Sequence, residues 1–491
     1  MRLKGLAAGV GTLLFVIPIS LILPLVTGFL YGEDPLLILA AYVIPAILAA
    51  SIGFTLRRWA GSEGKDLRPT EALATVSIFW MLLALFGAFP YMITGSIPDF
   101  ISAFFESMSG FTTTGSSVIS DVDGQARSVL MWRSETQWIG GVGVVVLLVA
   151  LLSQVLGGHK AGFLLMKSEV PGHSHEKIVP RLKDSAKVVI SVYLILTVLE
   201  TVLLTIFGLS LFDAVNHTFT TLATGGFGTH TESIAYYKDM TWAPLIEIIF
   251  IVFMIFGSVN FVLHYNLLKG DFKGYFRDVE FRVYMLIWVF FIGVVTLDLW
   301  VNKLYSGGES LRASLFNVTS ILSTTGYATE DFNQWPDLSR FIMVIAMIMG
   351  GMTGSTSGAI KTARFIILGK ALRRNIKRIG HPRAHIPVRV GGIIFSEDIV
   401  RGVGLFVFAY LFIFVFSAFL MTLTGLDVVE AISAVATTMG GVGPGLGMVG
   451  PSSNFVGVND VGKVILSLLM WVGRLELITC FVLFYPSTWK K

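Results

Sequence analysis

Ten apolar stretches fill most of this chain, each near the length of about 20 residues that crosses a membrane as a helix. They lie at 6–30, 35–56, 71–93, 129–157, 187–208, 242–268, 280–301, 338–370, 397–424 and 461–485. Four shorter, more polar inserts interrupt them at 97–111, 210–222, 310–323 and 427–440, and each runs directly into a glycine segment. Too short to cross, these inserts leave the chain few options. Non-helical backbone at membrane depth persists only inside protein or along a water-filled cavity. Four such stretches cannot each face lipid, so they are expected to converge.

Composition agrees with a membrane chain. Hydrophobic residues make up 54% and charged residues 14%, where a soluble domain carries about 25% charged. No sizeable soluble domain fits between the apolar runs. The net charge of +4 is small, and its placement speaks to orientation rather than nucleic-acid binding. Arg57, Arg58, Lys65 and Arg68 follow the second run; Lys160, Lys167, Lys177, Arg181, Lys183 and Lys187 the fourth; Lys269, Lys273, Arg277 and Arg282 the sixth. A dense cluster from Lys370 to Arg389 follows the eighth, while the alternate loops carry Glu33, Asp34, Asp121, Asp123, Glu330, Asp331 and Asp460. The positive-inside rule then puts both termini in the cytoplasm and opens the glycine segments outward. The single cysteine, Cys480, excludes a disulfide framework and reads as a small buried residue. Met1-Arg2-Leu3-Lys4 reads as the start of a first span rather than a removed signal peptide.

The predicted architecture is an all-α integral membrane protein of ten transmembrane helices. Four helix–pore loop–helix repeats, at 71–157, 183–268, 279–370 and 396–486, surround a channel-like pore, and two extra helices precede them within 1–60. The glycine segments read Thr112-Thr113-Thr114-Gly115, Leu222-Ala223-Thr224-Gly225, Ser323-Thr324-Thr325-Gly326 and Gly440-Gly441-Val442-Gly443. A half-helix entering from outside points its negative dipole end inward, which favours a cation. Glycine then lets successive carbonyls face one way, and rings of carbonyls can replace an ion's water shell. The candidate ion-binding backbone is Thr113, Thr114, Gly115; Ala223, Thr224, Gly225; Thr324, Thr325, Gly326; and Gly441, Val442, Gly443. Gly and Thr also ease close helix packing, but packing does not require a half-helix before every glycine. Gly445-Leu446-Gly447-Met448-Val449-Gly450 fits a dinucleotide-binding pattern by chance, since no strand precedes it.

The eighth run would measure about 50 Å as one straight helix, against about 30 Å of hydrocarbon. Its middle holds Gly350, Gly351, Gly354, Ser355, Thr356, Ser357 and Gly358. This composition predicts an irregular loop crossing the pore below the glycine segments, with Lys361 beneath it; the plainer alternative is a tilted, kinked helix. Arg474, near the middle of the last run, is costly in lipid and is expected to face the interior as a positive barrier. An ion pair with Glu476 is the alternative, although residues two apart do not share a helix face. Asn260 and His264, one helical turn apart, could form interhelical hydrogen bonds or line the cavity, as could Glu135 and Gln137; the structural role is the expected one.

Arg133-Ser134-Glu135-Thr136-Gln137-Trp138-Ile139-Gly140-Gly141, Ala223-Thr224-Gly225-Gly226-Phe227-Gly228-Thr229-His230, Gly354-Ser355-Thr356-Ser357-Gly358 and His381-Pro382-Arg383-Ala384 resemble the Trk/Ktr/HKT superfamily of potassium uptake proteins. The two leading spans make the chain similar to the TrkH type. The resemblance implies a homodimer with one pore per subunit, and cytosolic TrkA-like Rossmann subunits that bind nucleotides and control opening. It implies potassium as the transported ion, no cofactor on this chain, and a gate at residues 350–358. Potassium-selective relatives keep glycine at all four filter points, and serine in the first goes with sodium passage. Many relatives carry Asn before the fourth Gly-Pro-Gly, where this chain has Gly440-Gly441-Val442. The expected activity is inward potassium conduction through a bacterial inner membrane, driven by the membrane potential. The alternative is a proton- or sodium-coupled symporter, which more often shows inverted repeats. No constellation for an enzyme emerges.

Overall fold

The computed structural model describes residues 1–61, 67–156, 182–384 and 386–489. The basic positions Lys65, Lys160, Lys167, Lys177 and Arg181, the Lys183 side chain and the repeat boundary at 157 lie outside the described residues. Apart from one antiparallel hairpin, Val388–Val390 with Ile393–Phe395, the regular structure described is helical. Leu3–Leu30, Pro35–Ala60, Thr70–Ile93, Ala186–Ile206, Val279–Val301 and Glu397–Leu423 are long and apolar enough to cross a membrane. A seventh span appears if the bent pair Ala243–Ser258 and Phe261–Leu268 is taken as one. Their outer faces expose large apolar side chains such as Leu199, Phe290 and Phe412. Exposure on that scale suits lipid rather than water. The protein is a multi-pass membrane protein.

Four short helices sit inside this bundle: Phe100–Phe111, Leu211–Leu222, Gly307–Leu322 and Val428–Gly440. Each begins at a side-chain cap that satisfies a free backbone N–H. Asp99 accepts from Ser102 N–H at 2.8 Å and Ser210 from Asp213 N–H at 3.0 Å. Ser306 with Glu309, and Asp427 with Glu430, form capping boxes. The final turns are buried yet polar, with Ser107 and Ser109, Thr220 and Thr221, Thr319 and Ser320, and Thr437 and Thr438 out of solvent. Buried hydroxyls mark helices enclosed by protein, since lipid offers them no partner.

Three apolar runs are broken: those at 242–268 and 461–485, expected as single spans, and that at 338–370, where an irregular loop was expected. The run at 242–268 breaks into two helices that bend by 108°. Asn260 caps the second of them, accepting from Val262 N–H at 2.8 Å. His264 Nε2 donates back across the bend to the Phe256 carbonyl at 2.8 Å, so both residues hold the break. The run at 338–370 is helical over Asp337–Ile348 and Thr362–Gly380, with non-helical backbone between. The last run is helical over Asp460–Arg474 and then breaks at Glu476 and Leu477, with φ of 59° and 56°. Arg474 thus closes a helix instead of lying mid-span.

Candidate functional site

The four short helices end in the same backbone turn. Thr114 N–H donates to Ser109 O at 2.8 Å, Gly225 to Thr220 at 2.8 Å, Thr325 to Ser320 at 2.8 Å and Val442 to Thr437 at 2.9 Å. The residue before each donor is left-handed: Thr113 and Thr224 with φ of 53°, Thr324 with 62°, Gly441 with 68°. The residue after each is a glycine of positive φ: Gly115 at 86°, Gly226 at 78°, Gly326 at 86°, Gly443 at 110°. A branched side chain at positive φ is costly and needs a surrounding that enforces it. This common turn shifts the second segment by one residue from the sequence expectation. Ala223-Thr224-Gly225-Gly226 is the equivalent of Thr112-Thr113-Thr114-Gly115, and Gly226 rather than Gly225 aligns with Gly115.

The glycines show how the segments meet. A methyl group on Gly115 would stand 2.1 Å from the Gly225 oxygen, and one on Gly226 would stand 1.9 Å from the Thr325 oxygen. One on Gly326 would stand 1.9 Å from the Val442 oxygen, and one on Gly443 would stand 3.0 Å from the Thr114 oxygen. Each glycine therefore abuts the carbonyl just before the glycine of the next segment, and the sequence of contacts returns to its start. The four segments close a ring about one axis. A cavity of about 150 Å³, lined by Gly115, Gly226, Gly326 and Gly443 among others, opens over the ring. The ring segments carry peptide oxygens and no charged side chain, chemistry that suits a partly dehydrated cation free to leave again.

Buried side chains brace the ring from behind. Gln137 Nε2 donates to the Gly225 carbonyl at 2.7 Å while its Oε1 accepts from Phe227 N–H at 3.0 Å. This side chain, structural by sequence, grips the ring-forming segment itself. Arg133 pairs with Glu106 at 3.0 Å, donates to the Gly228 carbonyl at 3.0 Å and lies over the Phe227 ring at 4.2 Å. Glu106 also accepts from Val118 N–H at 2.8 Å, so one buried ion pair joins the backbone beyond Gly115 to that beyond Gly226. Among the described residues, Glu135 makes no comparable contact with the ring, and one of its buried carboxylate oxygens has no hydrogen-bond partner there. Beside the cavity, His230 Nδ1 donates to Asp123 at 2.6 Å and its ring stacks on Tyr236 at 3.5 Å. Burial opposes a charge on this imidazole, but Asp213 and Asp123 outweigh it and hold its pKa above the usual histidine range.

The non-helical stretch after Ile348 packs against three ring quarters where their short helices end. Thr356 Oγ1 donates to Leu222 O at 2.8 Å and is also 2.9 Å from Gly257 O. Gly358 N–H donates to Thr324 Oγ1 at 2.8 Å, and a methyl on Gly358 would stand 2.1 Å from Gly440 O. Within the loop, Gly351 N–H donates to Ser357 Oγ at 3.0 Å and Ser355 Oγ to Met352 O at 2.6 Å. Gly350 N–H donates to Ile360 O at 3.0 Å, and Phe261 N–H to Gly354 O at 3.1 Å. Lys361 Nζ folds back on the Ser357 carbonyl. Arg474 donates to Thr356 O at 2.7 Å and to Gly140 O at 3.1 Å. Glu476 pairs with Arg364, not with Arg474. The expected loop residues and Arg474 are thus brought together, with Arg474 holding the loop by its backbone. The Gly445–Gly450 motif has no preceding strand; Asn333 and Glu430 secure it by accepting from the N–H groups of Gly447 and Met448.

A membrane bundle whose capped, buried half-helices aim at one centre of uncharged oxygens belongs to the class of ion-transport proteins rather than enzymes. The chain belongs to the TrkH family, described as cation transport protein, whose model matches residues 38–491. It is 34% identical to the Trk system potassium uptake protein TrkH of Salmonella typhimurium, covering all of both chains. It is 33% identical to the Trk system potassium uptake protein TrkG of Escherichia coli, over 98% of this chain and 97% of that one. The crystal structure of the potassium transporter TrkH from Vibrio parahaemolyticus superposes with a TM-score of 0.88 at 31% identity, covering all of both chains.

Proposed function

We propose that this chain is the potassium-translocating subunit of a Trk-type uptake system in a bacterial inner membrane. The observation that carries the reading is the closed ring in which each glycine seats on the next quarter's carbonyl. In this reading potassium sheds its water against the oxygens of Thr113, Thr114, Gly115, Thr224, Gly225, Gly226, Thr324, Thr325, Gly326, Gly441, Val442 and Gly443. Counting the helix Arg127–Leu156 and each broken run as one crossing gives ten crossings, four repeats and two leading helices. Both termini then lie in the cytoplasm, the ring opens outward and the loop at 350–358 is an intramembrane gate, with Lys361 and Arg474 as positive charges beneath the ring. The basic helix Thr362–Gly380 leads from that loop to a cytosolic nucleotide-binding partner, and two copies pair as a homodimer. The membrane potential supplies about 2.3 kcal/mol per charge per 100 mV, which suffices for accumulation. The ring residues carry no titratable side chain, so conduction is favoured over proton- or sodium-coupled symport.

The test is uptake of tracer rubidium or sodium by potassium-loaded liposomes holding the purified protein. Rubidium should enter and sodium should not, and Gly115→Ser should weaken that discrimination. Equal entry of both ions into liposomes with the unmodified protein would remove the selectivity claim, and a steep dependence on proton gradient would favour symport.

A further inference from the structure

Glu280 is not part of the ring, and its sequence position at the start of Val279–Val301 suggests only a helix-end acid. Its contacts say more. The single oxygen Oε1 accepts from Thr353 N–H at 2.8 Å, from Thr353 Oγ1 at 3.1 Å and from Ala363 N–H at 2.9 Å. Thr353 lies just before Gly354, where the chain turns with φ of 78° into the loop's tip. Ala363 is the second residue of the helix that leaves the loop, a helix whose cap residue, Lys361, supplies no side-chain cap. One carboxylate on a neighbouring helix thus ties the strand entering the tip to the helix leaving it. A carboxyl oxygen accepting several N–H groups, one of them at a helix N-terminus, satisfies donors that a helix end leaves without an intrahelical partner.

We propose that Glu280 is the latch of the intramembrane loop: a positioning residue that clamps both ends of its neck and so holds Thr356 and Gly358 beneath the ring. The inference rests on the gate reading above. The two sides of the neck also bond each other, Gly350 N–H to Ile360 O at 3.0 Å, Thr362 N–H to Gly351 O at 3.1 Å and Thr362 Oγ1 to Gly350 O at 3.0 Å, while the Lys361 ammonium turns to the tip at Ser357 O, so the Glu280 carboxyl ties both sides of the neck to the neighbouring helix. Opening the loop requires releasing Oε1 from Thr353, from Ala363 or from both. A pull on Thr362–Gly380 acts directly on one of those two bonds.

The experiment compares full-length protein in potassium-loaded liposomes without any cytosolic partner: unmodified, Glu280→Ala, Glu280→Gln and a deletion of Gly354 to Ser357. Glu280→Ala is expected to raise rubidium entry several-fold while leaving the rubidium-to-sodium ratio unchanged, because the ring is untouched. Glu280→Gln retains an acceptor oxygen and should fall between the two. A second readout places a cysteine at Ser355 in a Cys480→Ser background and follows labelling by a water-soluble thiol reagent; Glu280→Ala should speed it. If the deletion raises flux and Glu280→Ala changes neither flux nor labelling, the latch is wrong and the gate stands. If the deletion also leaves flux unchanged, the gate reading itself fails. A fall in ion discrimination in Glu280→Ala would show a general loosening of the pore and overturn the latch.

Discussion

The left-handed threonines and the glycines two residues beyond them are the smallest units on which the ring depends. Gly226 combines a positive φ with a carbonyl 1.9 Å from any added carbon. At Gly225 the nearest atoms to an added carbon belong to the Gln137 side chain, at 2.4 Å, and a side chain can give way. Gly226→Ala should therefore abolish rubidium uptake, whereas Gly225→Ala should retain a measurable part of it; the reverse order would return the register to Gly225. Gln137→Leu leaves the Gly225 carbonyl and Phe227 N–H without partners. It should lower unfolding stability by about 2 kcal/mol or more, read as a lower melting temperature, together with weaker ion discrimination. The one-residue shift in the second quarter was not legible. Two consecutive glycines left the frame ambiguous: a threonine lies two residues before Gly115, Gly226 and Gly326, and equally one residue before Gly115, Gly225 and Gly326. The backbone turn decides for Gly226. The roles of Gln137 and Glu280 were not legible, because each depends on which distant backbone group its side chain reaches.

Among the elements, the four short helices match the inserts seen as too short to cross, to within a few residues at each end. Their caps and their break in hydropathy are local properties, which is why the sequence carries them. The breaks in the sixth and last apolar runs are not local. No proline marks 257–261, and the 108° bend is held by Asn260 capping one helix and His264 bonding across to the other. The loop beneath the ring was foreseeable from its glycines and hydroxyls, but its partners were not: Arg474 reaches Thr356 and Gly140, and Glu476 turns instead to Arg364. Arg474→Ala should therefore release the Thr356 carbonyl and raise rubidium leak several-fold in liposomes holding the purified protein alone. Arg474→Lys, which can still donate to one carbonyl, should raise it less. A variant with undiminished closure would reduce Arg474 to a packing residue.

At the scale of the molecule, membrane character, helix content and the convergence of four segments all follow from composition and spacing. How the quarters are tied to each other does not. One tie lies beside the cavity, where His230 of the second quarter meets Asp123 of the first. The folded protein holds the His230 proton more tightly than an unfolded chain does. That contribution is fully present below the ordinary imidazole pKa of about 6.5, and it is lost as pH rises through the higher folded-state value. Melting temperature of the purified protein should fall over this range toward mildly alkaline pH, and His230→Gln should flatten the fall. An equal slope in the variant would assign the pH dependence to other groups.

The head-to-tail seating of each glycine on its neighbour's oxygen means that no quarter of the ring can be altered privately. A bulkier residue at Gly115 displaces the Gly225 peptide, which in turn carries Gly226 away from Thr325. Substitutions in adjacent quarters should therefore compound or rescue one another, while their separate effects fail to add. A single polypeptide is free to let its four quarters drift apart in sequence, but at these few peptides they remain obliged to change in concert.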